Sequence, residues 1–314
     1  MKNLLNQNSI HFLNETCHTD DANALDKKLK KYNKNHCWQY DIRLKNRQDD
    51  LNQHNLTEED VNSLRIMDFD MKFEDKKIVW NEVKYFIEKH EWLGKMGLYP
   101  THIFTARYNG ILSGVISFDM PNAFSKLLGN DTKSMERLIG RGACISWSPK
   151  NLASAMISTA IKQLVKRTPY RLFTAYADVE AKELGTIYQA CNFYYLGQKS
   201  GTGYQYKIRE DKWVSDRYFR SRSVYKRMAK NNNIEWQSEW QDGDKVNFHL
   251  MPQSVALKIK SLSKKYQQSC ERRKLKPKHK YAYVLGANKR ETRLLRKLFL
   301  ERNKTFEYPK HRGI

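Results

Sequence analysis

The chain has 314 residues, 40% of them apolar, enough for one large domain or two modest ones with real cores. Its net charge is +23, far beyond what solubility requires, which points to a polyanionic partner, nucleic acid first. No apolar run approaches the ~20 residues that cross a bilayer, and MKNLLNQNSIHF lacks the apolar stretch of a signal peptide, so a soluble cytoplasmic chain with no membrane contact is expected.

The five cysteines are odd in number and scattered, which fits a reducing compartment rather than a disulfide framework. Cys17-His18 and His36-Cys37 mirror each other, but zinc sites space paired ligands by two or more residues so that both point inward. No zinc site is therefore expected at these pairs.

In chain order, "DANALDKKLKKY" reads as a short helix begun by an Asp cap. "LTEEDVNSLRI" reads as another, with Thr57 capping and Asp60 at the reach-back position. "WNEVKYFIEKHEWLG" places apolar residues near helical spacing. "HIFTARYNGILSGVISFDM" is two alternating runs around Asn109-Gly110, a strong hairpin signal. "ACISWSP" reads as a strand stopped by Pro149, and "NLASAMISTAIKQLVKR" as a helix opened near Asn151. "RLFTAYAD" is a strand, "KELGTIYQAC" a helix, and "FYYLGQ" and "YQYKIRE" are strands. This order predicts an α/β layer with a mixed sheet flanked by helices.

Three regions are expected: a polar, loosely attached helical extension over 1–69, a catalytic core over 70–210, and a basic nucleic-acid-binding region over 211–314. From residue 212 onward 27 Lys and Arg face 9 Asp and Glu, a net +18. That region is expected to be removable with the core left folded. In "DRYFRSRSVYKRM", Arg217, Arg220, Arg222, Lys226 and Arg227 mix with Tyr and Phe, as nucleic-acid binding needs: cations for phosphates, aromatic faces for unstacked bases. "PKHKYAYVLGANKRETRLLRKLF" reads as a strand, a turn and a basic helix from about Lys289, and adds Lys278, Lys280, Lys289, Arg290 and Arg293.

Within the core, Lys150, Asn151, Leu152, Ala153, Ser154 and Ala155 sit between a strand and a helix, where first-turn amides favour a phosphate. An ordinary helix cap with no ligand is the other reading. Asp178 ends its strand where open α/β layers bind ligands. It is placed there to take a proton, hold a metal or cap the next helix. Tyr176, two residues earlier, shares its face. Tyr188 lies at the margin of an apolar helix face, so its ring can pack while its hydroxyl reaches a ligand.

The middle of the chain resembles the GNAT acyltransferase fold, and within it the Mom family of phage DNA-modification proteins. The residues that carry the resemblance are "GILSGVISF", "SWSPKNLASAMI" and, most specifically, "YADVEAKELGTIYQACNFYYLG", over about 130 residues from Trp80 to about Lys207. The resemblance implies a GNAT-like sheet and acyl-coenzyme A, such as acetyl-CoA, held by the loop from Lys150 to Ala155. Ala153 stands where the family pattern has glycine, and its methyl would be costly if φ were positive there. It further implies Tyr188 as the acid for a departing thiolate, and His90, in "KHEWLGKM", as a base in a segment where Glu91 and Trp92 replace Tyr and Ser. Ser148 is placed as a substrate contact. The implied function is transfer to an exocyclic amine of a DNA base, adenine first, on double-stranded DNA, protecting a phage genome from restriction in the host cytoplasm. The alternatives are a GNAT acyltransferase acting on a protein or small amine, and a non-catalytic nucleic-acid-binding protein.

Overall fold

A computed structural model describes residues 37–97, 100–121, 123–198 and 203–310. The helix expected over 21–32, with Cys17, His18 and His36, lies outside the described residues. The chain forms two compact units. The first takes the described residues up to Tyr176, Ala181–Leu196 and those from Tyr281 on; the second takes Ala177–Glu180 and Gly197–Lys280.

The first unit opens with α1 (Trp38–Gln53) and α2 (Glu58–Asn62). The expected capping box is present: the Thr57 hydroxyl accepts the Asp60 N–H at 3.2 Å, and the Thr57 N–H donates to the Asp60 carboxylate at 2.8 Å. The expected loose attachment is not found for the described part of the extension. Asp50 is fully buried and Leu51 is 2% exposed, and polar contacts tie α1 to α3 and to the loop after β4.

Strand β1 (Asp70–Glu74) leads to helix α3 (Lys76–His90), which starts where Asp75 accepts the Lys77 N–H. Val79, Val83, Phe86 and Ile87 form its buried stripe, the period-3.6 pattern that the sequence carries. The hairpin follows as β2 (Pro100–Tyr108) and β3 (Ile111–Asp119). Asn109 (φ 48°) and Gly110 (φ 82°) are both left-handed, as a two-residue hairpin turn requires.

Strand β4 covers Glu136–Cys144 and helix α4 Leu152–Arg167. The strand expected at "ACISWSP" thus lies earlier, and Ile145–Pro149 is a loop. The reason is buried charge. Glu136 (2% exposed) accepts from Ser125 N–H and Thr174 Oγ1, and the Arg137 guanidinium lies 3.8 Å from the centre of the Tyr170 ring. Such polar interior positions hide the alternation by which a strand is read.

Strand β5 (Leu172–Ala177) pairs parallel with β4. Helix α5 is only Thr186–Ala190, not the whole of "KELGTIYQAC", because Lys182 (φ 57°) and Gly185 (φ 70°) take left-handed conformations that end a helix. Strand β6 is Tyr194–Gln198.

The remaining strand of this sheet comes from far along the chain. After β7 (Tyr204–Arg209), β8 (Lys212–Ser215), β9 (Gln241–Asp242), β10 (Lys245–Val246) and β11 (Arg272–Lys274), strand β12 (His279–Val284) enters the sheet, giving the order β1-β2-β3-β4-β5-β12-β6. The core therefore does not close at residue 210. Ala282, Val284 and Phe299 share one apolar cluster with Leu127, Leu128, Leu172 and Leu196. The expected mixed sheet flanked by helices is present, and the C-terminal segment is part of it.

The second unit holds the sheet β11-β7-β8 with helices α6 (Arg222–Lys230) and α7 (Gln253–Ser269). Its own core is Tyr225, Ala229, Trp240, Met251, Ala256 and Ile259. The last helix, α8 (Lys289–Arg302), returns to the first unit and starts at Asn288, whose side chain accepts the Glu291 N–H. Among the described residues, no helix is long and apolar enough to cross a membrane.

Candidate active site

Strands β4 and β5 pair at three positions only, Glu136↔Leu172, Arg137↔Phe173 and Leu138↔Thr174. Beyond Leu138 the strands part, and no pairing with β5 continues over Ile139–Cys144 among the described residues. The β4–α4 loop closes this open margin. At the start of α4, Leu152 N–H donates to Pro149 and Ala155 N–H to Asn151. The amides of Ala153 and Ser154 make no such bond among the described residues, as the first turn of a helix leaves them. Lys150 and Asn151 are exposed. Ala153 lies inside α4 and is not among the residues with positive φ, so the methyl that stands for glycine carries no backbone strain.

Tyr188 is half-buried, its ring 5.4 Å from those of Phe193 and Tyr281. Its hydroxyl makes no hydrogen bond among the described residues. Burial, with the Glu183 charge next, pushes the phenol well above its ordinary pKa. The helix that carries it is docked by Tyr281, whose hydroxyl donates to the Leu184 carbonyl and accepts from Gln189 Nε2 at 3.2 Å. Gly185 sits flat on the Tyr281 ring, where a Cβ would collide. The Gly, Tyr and Gln of "GTIYQ" thus all have work on β12.

Glu91 follows α3 and is 8% exposed. Its Oε1 lies 3.6 Å from Arg141 Nη1 of β4, and its Oε2 is buried with no hydrogen-bond partner among the described residues. Burial lifts its carboxyl to about 7, against the pull of Arg141. The Glu91 charge also acts on the Tyr188 phenol. A carboxyl lifted toward neutrality can accept a proton and a buried phenol that keeps its proton can donate a hydrogen bond; of the two, Glu91 stands at the open margin through Arg141.

His90, placed by the sequence as a base, is 5% exposed, its ring tilted 42° against that of Phe86 at 4.4 Å. Burial depresses its pKa well below the usual imidazole value. It belongs to the attachment of α1. There Asp50 lies 2.7 Å from Lys89 Nζ and 3.6 Å from His90 Nδ1, and accepts the Ser146 N–H at 3.2 Å. Arg43 donates to the carbonyls of Ser146 (2.9 Å) and Ser148 (3.0 Å), and Asn46 to the Lys89 carbonyl. Ser148 Oγ is 3.4 Å from the same Arg43 guanidinium, so this side chain is engaged in holding the loop. The sequence does not single out Arg43, Asp50 or Arg141, and marks Glu91 only as a replacement in the family pattern. All are polar positions with no spacing signature, and only their burial marks them.

Tyr176 is half-buried on β5. Asp178 clusters with the second unit, where its carboxylate is 2.7 Å from Lys278 Nζ and accepts the Glu180 N–H at 3.0 Å. It therefore shapes a turn and does not cap α5, whose cap position is Gly185.

The expected nucleic-acid residues fall in both units. Arg217, Arg220, Lys226 and Arg227 are exposed on the second unit, and Arg222 is 3.2 Å from Asp244. Of the aromatics between them, Phe219 (2% exposed) and Tyr225 (7%) face inward, while Tyr218 is half-buried. Phe219 and Tyr225 support the fold and are not free faces for bases. Lys280 is half-buried at the start of β12, while Lys289, Arg290 and Arg293 are exposed on α8 of the first unit.

The model of the Mom protein family matches residues 72–310. No curated protein matches the chain. Similar solved structures include the RimL ribosomal L7/L12 alpha-N-protein acetyltransferase in complex with coenzyme A, at 11% identity and a TM-score of 0.34 over 70% of this chain and 96% of that one. They also include yncA, a putative acetyltransferase from Salmonella typhimurium with its cofactor acetyl-CoA, at 12% identity and a TM-score of 0.33 over 47% and 89%. A probable acetyltransferase from Staphylococcus epidermidis matches at 9% identity and a TM-score of 0.32 over 47% and 94%.

Proposed function

The chain belongs to the Mom protein family, and from that premise we propose that it is a transferase acting on an exocyclic amine of a DNA base, adenine first, with an acyl-coenzyme A as donor. The observation that carries this reading is Glu91, buried 3.6 Å from Arg141 on the stretch of β4 that has left β5, with one carboxylate oxygen unpartnered among the described residues.

The donor set fits a coenzyme A pyrophosphate. Two unspent amides at the start of α4 and the exposed Lys150 stand together after the open margin. When bound, the coenzyme supplies an activated acyl thioester. Glu91, its carboxyl lifted to about 7 and so ionised above that pH, takes the proton that the attacking amine must lose. Arg141, 3.6 Å away, holds that carboxylate in place without the full neutralisation of a tight pair. Tyr188 would donate a hydrogen bond to the sulphur of the bound thioester. Its raised pKa makes complete proton transfer to a thiolate uphill, so it acts as a donor that keeps its proton. A base stacked in a duplex cannot reach such a pocket, so the target must be flipped out or single-stranded.

Release of free thiol from acetyl-CoA on mixing with DNA tests the reading. DNA-dependent release that is lost in Tyr188→Phe and Glu91→Gln is expected. Release driven by peptide or small amines and indifferent to DNA would replace it with the acyltransferase alternative, and no release with any acceptor would favour a binding protein.

A further inference from the structure

The first unit also carries an open groove of about 1350 Å³ between α4 and α8. It lies by the start of β5, where Arg171 accepts the Leu285 N–H, whereas the candidate active site lies past the parting of β4 and β5. Along α4, Lys162 and Lys166 of the groove come 8 and 12 residues after Ser154 of the candidate site, about 12 and 18 Å at the rise of a helix. Lys162 and Lys166 of α4 line one wall, and Lys289, Arg293 and Lys297 of α8 the other. All five are exposed. Arg296 completes the set from below, its Nε donating to the Val284 carbonyl.

One acid answers these six cations: Glu301, 3.9 Å from Lys297. Lys162, Lys166, Lys289 and Arg293 have no acidic partner among the described residues. Elsewhere in the same unit cations are matched, as in Arg107 with Glu74 and Glu82, Arg47 with Glu58, and Lys72 with Asp70. The start of α8 is already served by Glu291, which accepts the Ala287 N–H and pairs with Arg171 at 2.7 Å, so the side-chain cations are the site. On α8 they recur every fourth residue, about 6 Å apart along the axis, which suits a chain of repeating charges better than one small anion. Tyr194, fixed by stacking 4.9 Å from Phe299, gives the groove an aromatic face.

We propose that this groove is a second nucleic-acid contact, an exosite that grips the phosphate backbone at a distance from the base being modified. The proposal rests on the nucleic-acid reading above and deepens it. Cations on two facing walls neutralise phosphates and release counterions, and Tyr194 offers a face on which an unpaired base can stack.

The test is fluorescence anisotropy of the full chain with labelled DNA, from ~50 to ~200 mM salt. Lys162→Glu/Lys166→Glu/Arg293→Glu alters only exposed side chains, and its thermal midpoint should match that of the wild type. If three phosphate contacts are lost, the slope of log affinity against log salt should flatten by about 2–3, while the Lys162→Arg/Lys166→Arg variant keeps it. An unchanged slope in the charge-reversal variant overturns the proposal. So does poly-glutamate binding as tightly as DNA with the same dependence on these residues, since the groove would then serve an acidic polypeptide. Binding is read without turnover. A chain that grips DNA through these cations but transfers nothing overturns the transferase reading and supports the groove.

Discussion

At Tyr188 the ring and the hydroxyl have separate tasks. The ring packs against Phe193 and Tyr281, and the hydroxyl has no partner within the described protein. Tyr188→Phe should therefore change stability by no more than about 1 kcal/mol while base modification falls about 10²-fold, the usual loss for one donor to a developing charge. Glu91 ties activity and stability to pH in opposite directions. The folded state keeps its carboxyl protonated up to about 7, whereas the unfolded chain ionises near 4.5. Between those values the folded state binds more protons, so stability is greatest below the window and falls as pH rises through it, by ~3 kcal/mol in all. Glu91→Gln should remove that slope in denaturant titrations, and should abolish a rate that in the wild type climbs as pH passes through about 7. Gly185→Ala tests the docking of α5. A left-handed φ and a Cβ aimed into the Tyr281 ring should together cost roughly 2–4 kcal/mol, read as a lower midpoint of unfolding.

Among the elements, α1 shows where reading a sequence stops. The hairpin, α3, α4 and the β12–turn–α8 segment follow from local signals: alternation around Asn109-Gly110, apolar stripes, and caps at Asp75 and Asn288. Helix α1 offers few such signals, because Arg43, Asn46 and Asp50 make its attachment and a buried polar side chain looks in sequence like an exposed one. Glu136 and Arg137 hid the true span of β4 for the same reason. The site was legible to the same extent: the motif around Tyr188 is long enough to recognise, whereas Glu91 and Arg141 matter through burial that no spacing announces. Asp50→Ala checks the polar anchor. It leaves Lys89 without its buried partner and the Ser146 amide without its acceptor, and should destabilise by about 3–5 kcal/mol. Coenzyme A affinity should weaken with it, because the loop after β4 loses a support; calorimetry on the folded fraction reads that.

For the whole molecule, the chain crosses from the first unit to the second and back, and the last crossing supplies an interior strand. Deleting residues from 211 on should therefore not leave a folded core. It removes β12 from between β5 and β6 and strips Ala282, Val284 and Phe299 from the cluster that covers Leu172 and Leu196. The expected outcome is an insoluble product on expression, where a separable basic tail would leave a soluble monomer on size exclusion. Core and charge are joined in the first unit too, since α8 carries both a core residue, Phe299, and cations of the groove. The central claim is that this molecule alters a DNA base, and mass spectrometry of nucleosides from DNA co-expressed with it tests that most directly. With the wild type a base, adenine first, should carry added mass, and with Tyr188→Phe at equal protein level the signal should fall about 10²-fold. Nucleosides of unaltered mass in the presence of abundant, folded wild-type protein would contradict the account.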